Sequence, residues 1–176
     1  IPADAVAGAT CTSSVRALSA DNLYSNTALL VTRCIWTYEV FDEPFDSWPH
    51  GWTNYTTSGA TAWYQDMGNG LPTPCAAHDQ DSVTGSVSWL VSPPINLIVT
   101  GPEQLLLNFY FATGGIITNE GVYISTGNPD PVAGDYVKLA EYDYMVGNWT
   151  FNQIDLWPYR GINPLYLAFK YKGLNP

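Results

Sequence analysis

The chain has 176 residues, a net charge of −10 and 46 % apolar residues, enough for one compact domain with a real core. The acidic balance argues against nucleic acid or an anionic membrane surface as a partner. No run approaches the roughly 18 apolar residues of a membrane-spanning helix, and abundant Thr, Ser, Asn, Gly and Pro favour β-structure with many turns.

The opening Ile1-Pro2-Ala3-Asp4-Ala5 reads like the start of a processed, exported protein, an expectation that rests on the missing Met. Residues 1 to 27 are small and polar without a sustained period, and Ser14 to Leu23 is read as a short helix. From Thr27 the pattern becomes extended. Leu30, Thr32, Cys34, Trp36, Tyr38 and Val40 share one face of a strand, with Arg33, Thr37 and Glu39 on the other. Further strands are predicted at Ala60–Gln65, Ser86–Val91, Gln104–Ala112, Gly121–Ser125, Tyr136–Tyr144, Trp149–Leu156 and Leu165–Tyr171. Turns such as Gly68-Asn69-Gly70, Ser92-Pro93-Pro94 and Gly161-Ile162-Asn163-Pro164 separate them. Leu105 to Phe111 is continuously apolar and reads as a central strand, whereas Leu165 to Tyr171 alternates strictly. Short, regularly spaced strands with no helical stripe after residue 30 predict an all-β sandwich.

Three cysteines leave one over if two pair. Cys11–Cys34 is the expected disulfide, tying the N-terminal arm to the first clear strand and worth about 3 kcal/mol in the chain-entropy model. Cys75 falls among Pro72, Pro74 and His78 and reads as a loop residue. Cys75-Ala-Ala-His78 has a metal-like spacing but too few ligands for zinc. A Cys75/His78/Asp79 nucleophile set is poorly served by residues so close in sequence. Asn54-Tyr55-Thr56 and Asn148-Trp149-Thr150 are glycosylation sequons, of use only where exported proteins are glycosylated.

Between Arg33 and Lys138 there is no Lys or Arg, yet the stretch holds Asp42, Glu43, Asp46, Asp66, Asp79, Asp81, Glu103, Glu120, Asp130 and Asp135. Such a run repels itself in a compact domain. Two explanations stand: a hard cation such as calcium offsets the charge, or the acids spread over a solvated surface and keep the protein soluble.

Three blocks in order carry a family resemblance. They are Phe41-Asp42-Glu43-Pro44-Phe45-Asp46 with Pro49-His50-Gly51-Trp52-Thr53 and Trp63; Trp89-Leu90-Val91-Ser92-Pro93-Pro94-Ile95-Asn96-Leu97 leading into the Leu105–Phe111 strand; and Gly121-Val122-Tyr123-Ile124-Ser125-Thr126-Gly127 with Trp149, Ile154-Asp155-Leu156, Tyr159, Gly161 and Tyr166 to Tyr171. This order resembles the MAM-like jelly-roll domains of the choice-of-anchor or cleaved-adhesin type, over about residues 40 to 172. The resemblance implies a jelly-roll β-sandwich on an exported or cell-surface protein, used for adhesion, glycan or surface binding and often calcium-stabilised. It makes Glu43 a calcium ligand, with Asp42 and Asp46 as neighbours. Asp66 is added by its proximity after Trp63. The competing reading is that Asp42 and Asp46 cap turns beside Pro44.

Relatives of that type continue into a further Trp-containing strand after the one corresponding to Tyr166–Tyr171, whereas this chain places about 38 residues ahead of the opening block. The expected organisation is therefore an N-terminal arm, 1–38, carrying a donor strand, and a jelly-roll sandwich, 39–176, with an open edge. Leu30, Cys34, Trp36, Tyr38 and Val40 are the candidate inserting residues, worth roughly 8–15 kcal/mol of gross burial. Ordering the strand opposes this by a similar amount, so only a preformed groove favours insertion. Insertion within one chain closes the fold, while insertion between chains propagates a head-to-tail filament.

The leading functional reading is thus a non-catalytic, homopolymeric subunit of an extracellular filament or surface structure. The alternative is a monomeric, secreted carbohydrate-binding or adhesion module using Trp48 and Trp52 as sugar platforms. Tryptophans filling the sandwich core are the plainer explanation of those residues. Catalysis has little support, because His50, His78 and the Asp79/Asp81 pair supply no ordered nucleophile, base and orienter.

Overall fold

The computed structural model describes residues 10–18, 25–33, 41–59, 61–79, 86–98, 104–112, 121–142 and 148–173. Residues 1–38 cluster with 100–104 as one compact unit, and 39–99 with 105–176 form the other.

In the first unit, β1 (Thr10–Leu18) and β2 (Ser25–Arg33) form an antiparallel hairpin, from Thr10 opposite Arg33 to Leu18 opposite Ser25. Of the helix expected from Ser14 to Leu23, the part up to Leu18 is therefore strand, and residues 19–23 lie outside the described residues. The β-branched Thr10, Thr12 and Val15 on one side and Thr27, Val31 and Thr32 on the other favour a pleated ladder over a helix. Leu30 sits in β2 opposite Ser13. Cys34, Trp36, Tyr38 and Val40 lie outside the described residues, and so does the proposed Cys11–Cys34 pairing.

The second unit is a β-sandwich. Its larger layer is a five-stranded antiparallel sheet in the order β3 (Thr53–Ser58), β6 (Val87–Val91), β11 (Tyr166–Lys172), β8 (Gly121–Ser125), β9 (Val137–Glu141). Thr53, Val91, Ala168 and Tyr123 lie side by side, while irregularities shift the β3–β6 register between Thr56 and Ser58 and the β8–β9 register between Val122 and Tyr123. Gly121 starts β8 where a Cβ would collide with the Ala140 carbonyl, so the approach of β9 requires glycine there.

Over one face lie two separate two-stranded ribbons: β4 (Tyr64–Asp66) with β5 (Cys75–Ala77), and β7 (Leu106–Phe111) with β10 (Thr150–Asp155). Ile124, Leu165 and Leu167 of the sheet meet Leu97, Leu105 and Leu156 in the inter-layer core, with Leu107 and Ile154 of the second ribbon packed against it. The opposite face carries Trp89, Tyr123, Tyr136 and Tyr166 around Val91 and Ala168. The strict alternation of β11 thus serves two faces, with Phe169 and Tyr171 on one and Lys170 on the other. Lys170 Nζ lies 5.0 Å from the Trp89 ring centre and 5.4 Å from that of Tyr123. Burial, reinforced by Lys172 and Lys138, pulls its ammonium below the ordinary lysine range.

The all-β sandwich expectation holds. No helix among the described residues is long and apolar enough to cross a membrane. One assignment changes: β7 is not a central strand but pairs with β10 alone among the described residues. Its apolar run is continuous because Leu107, Phe109 and Phe111 turn inward while Leu106 and Tyr110 stand exposed.

Candidate functional site

The two ribbons do not meet. Phe109 of β7 packs edge-on against Phe169 with ring centroids 5.5 Å apart. His78, just after β5, stacks on Tyr171 at 3.8 Å. Both ribbons therefore rest on the same face of β11, and between them runs a cleft of about 780 Å³. Leu90, Phe169 and Tyr171 contribute to its floor.

Its two long walls are strand edges. Residues Cys75 to Asp79 line it consecutively on one side and Asn108 to Ala112 on the other. A strand that shows a cavity only its face contributes alternate residues; consecutive lining means that the edge is presented. Neither edge has a ladder partner on this side among the described residues. Among the described residues no strand lies between the two edges.

Of the acidic residues expected to bind calcium, Glu43 and Asp66 accept hydrogen bonds from within the protein. Asp42, Glu43 and Asp66 line the cleft, and Asp46 is exposed. Glu43 is an internal clamp whose side chain is only 6 % exposed. Oε1 accepts the Phe45 N–H at 2.7 Å, while Oε2 accepts Trp52 Nε1–H at 2.8 Å and lies 3.0 Å from His50 Nδ1. The clamp holds a loop in which Phe45 (φ 55°) and His50 (φ 45°) occupy the left-handed region disfavoured for side-chain-bearing residues. Asp66 accepts from Asn69 Nδ2 at 2.7 Å and from the Gly68 amide at 2.8 Å, and these bonds hold its carboxyl below the usual range. Among the described residues no three His, Cys, Asp or Glu side chains form a group able to hold a metal ion.

Trp52 is 5 % exposed, enclosed by Phe41, Phe45 and Phe169. It presents no face to a sugar, which corrects its expected role; Trp48 is half-buried against Phe45. The side-chain amide of Asn54 is bonded at both ends to the Trp63 backbone, each at 3.0 Å, whereas Asn148 is exposed. Asp81 lies outside the described residues.

Tyr64 donates to Asp79 Oδ1 at 2.8 Å across the first ribbon. That bond, with burial and the carboxylate charge adding to it, pushes the phenol up to about 12. The half-buried Cys75 thiol is pushed up by desolvation and by Asp66, the reverse of an activated thiolate. The cleft itself escaped sequence reading because its walls come from segments thirty residues apart that a linear pattern does not connect.

No family model and no curated protein sequence matches this chain, so the MAM-like resemblance rests on its motifs. A solved structure described as a carbohydrate-binding module of the β-sandwich superfamily matches with a TM-score of 0.55 at 12 % identity. The match covers 96 % of this chain and 69 % of that one. At this identity the likeness is one of fold: the chain is similar to a β-sandwich.

Proposed function

We propose that this chain is a non-catalytic subunit of an extracellular filament or surface structure, in which a strand from one copy fills the cleft of the next. The observation that carries this reading is a pair of strand edges, Cys75–Ala77 and Asn108–Phe111, that line one cleft and have no ladder partner on that side among the described residues. Unpaired edges over an apolar floor are a template for strand addition. The apolar alternation Cys34, Trp36, Tyr38, Val40 supplies a matching strand in the sequence, with Leu30 at its base already paired in the N-terminal hairpin. A head-to-tail contact of this kind propagates rather than closing on itself. Electron microscopy of the purified full-length chain tests it. Filaments that disappear in Trp36→Asp and Tyr38→Asp support the reading, and monodisperse particles at high concentration contradict it.

A second reading is glycan binding. It draws on the structural neighbour, described as a carbohydrate-binding module, and on exposed aromatic side chains on the β7–β10 ribbon.

A further inference from the structure

We propose that the outward face of the β7–β10 ribbon binds single chains of neutral sugar. This rests on the glycan reading.

The register sets Tyr110 opposite Phe151, Asn108 opposite Gln153 and Leu106 opposite Asp155. Because Phe109 points inward onto Phe169, the alternation sends Tyr110 and Asn108 away from the sheet. Tyr110 is 45 % and Phe151 52 % exposed, their ring centroids 5.4 Å apart. The sandwich buries Trp52, Trp89, Tyr123 and Tyr171 almost completely, whereas Tyr110 and Phe151 place two exposed rings in contact with each other.

Next to the rings is a polar pair. Gln153 Nε2 donates to Asn108 Oδ1 at 3.0 Å. That bond leaves Asn108 Nδ2–H donors and the Gln153 Oε1 acceptor adjacent on the same face. Adjacent donor and acceptor match the paired hydroxyls of a sugar ring, each of which both gives and takes a hydrogen bond. Aromatic faces beside such amides suit the C–H face and hydroxyl edge of a hexose or pentose.

Charge selects the class. The ribbon strands contain no Lys or Arg, and the chain carries −10 overall. Asp155 uses Oδ1 to accept the Trp157 amide at 2.8 Å. An acidic glycan would meet repulsion and no cation, so the site takes neutral sugar. The rings are tilted by 60°, which does not fit a flat crystalline surface but follows a chain whose successive units turn. From Tyr110 to Leu106 the face runs about 13 Å, long enough for an oligosaccharide rather than one unit.

Isothermal titration of the full-length protein with soluble cello-, xylo- and manno-hexasaccharides, and with oligogalacturonate as the anionic probe, tests this. Binding of a neutral hexasaccharide and none of the anionic one is expected. Tyr110→Ala and Phe151→Ala each weaken it about three- to ten-fold, Gln153→Ala weakens it as well, and Trp157→Ala leaves it unchanged. Binding that survives both aromatic substitutions overturns this site while the glycan reading stands. Absence of binding to every neutral probe overturns both.

Discussion

The His78 imidazole lies flat on the Tyr171 ring, centroids 3.8 Å apart and planes 21° from parallel. This contact seats the β4–β5 ribbon on the five-stranded sheet and fixes one wall of the cleft. Tyr171 is 4 % exposed. Tyr171→Ala should cost about 3–5 kcal/mol, as for other buried large aromatics, and His78→Ala, which removes the stack but leaves the Tyr171 ring in the floor, should cost less. Urea unfolding monitored by tryptophan fluorescence measures both. Equal losses would show that the stack, not the floor, carries the stability.

Glu43 is expected to act as a hydrogen-bonding clamp. Glu43→Gln keeps the shape but replaces an acceptor oxygen with a donor facing Phe45 N–H or Trp52 Nε1–H. The expected loss is about 2 kcal/mol, typical of a hydrogen bond to a charged group. Thermal melts in calcium and in EDTA should show the same loss. A loss that EDTA abolishes would mean that the carboxylate works through a bound ion.

The Tyr64–Asp79 latch gives a signature at high pH. Its phenol, raised from 10.0 to about 12, is protonated in the folded state where an unfolded tyrosine ionises. The latch therefore contributes stability that is fully present below pH 10 and lost as pH rises through about 12. The stability gap between the parent and Tyr64→Phe should be widest below pH 10 and close toward 12. Denaturant titrations across that range measure it, and a gap independent of pH would contradict the latch.

Acid pH probes the opposite end of β8. The fully buried Ser125 Oγ lies 2.7 Å from Asp135 Oδ1 and 2.8 Å from the Asn128 carbonyl. The Ser125 hydrogen bond is the main cause holding the Asp135 carboxyl below 3.8. A depressed carboxyl contributes stability above its ordinary value and loses it as pH falls through the folded one. Ser125→Ala should cost about 1–3 kcal/mol at neutral pH, and circular dichroism melts should show the gap narrowing below 3.8. A gap that widens in acid would contradict this assignment.

What the sequence disclosed depended on burial. β6, β8 and β11 were legible because they are central and mostly buried, so their apolar runs or alternation stand out. Thr53–Ser58 was missed because nearly all of it faces solvent and no apolar alternation marks it. Cys75–Ala77 was missed because three small residues after Pro72 and Pro74 read as loop, although they pair with Tyr64–Asp66. Leu106 to Phe111 misled in the other direction. Its outward Leu106 and Tyr110 imitate a second buried face while standing in water. At Glu43 and Asp66 the sequence shows the carboxylates but not the local donors, such as the Phe45 and Gly68 amides, that the fold brings to them.

Strand entry into the cleft is tested most directly by amide hydrogen exchange of the full-length chain over a range of protein concentration. Strand donation between copies predicts that the cleft-facing amides of β5 and β7, those not directed at β4 or β10, exchange quickly when dilute. They should gain protection together as assembly proceeds. Protection already complete at the lowest concentration would mean that the chain fills its own cleft. Fast exchange at every concentration would mean that no strand enters it.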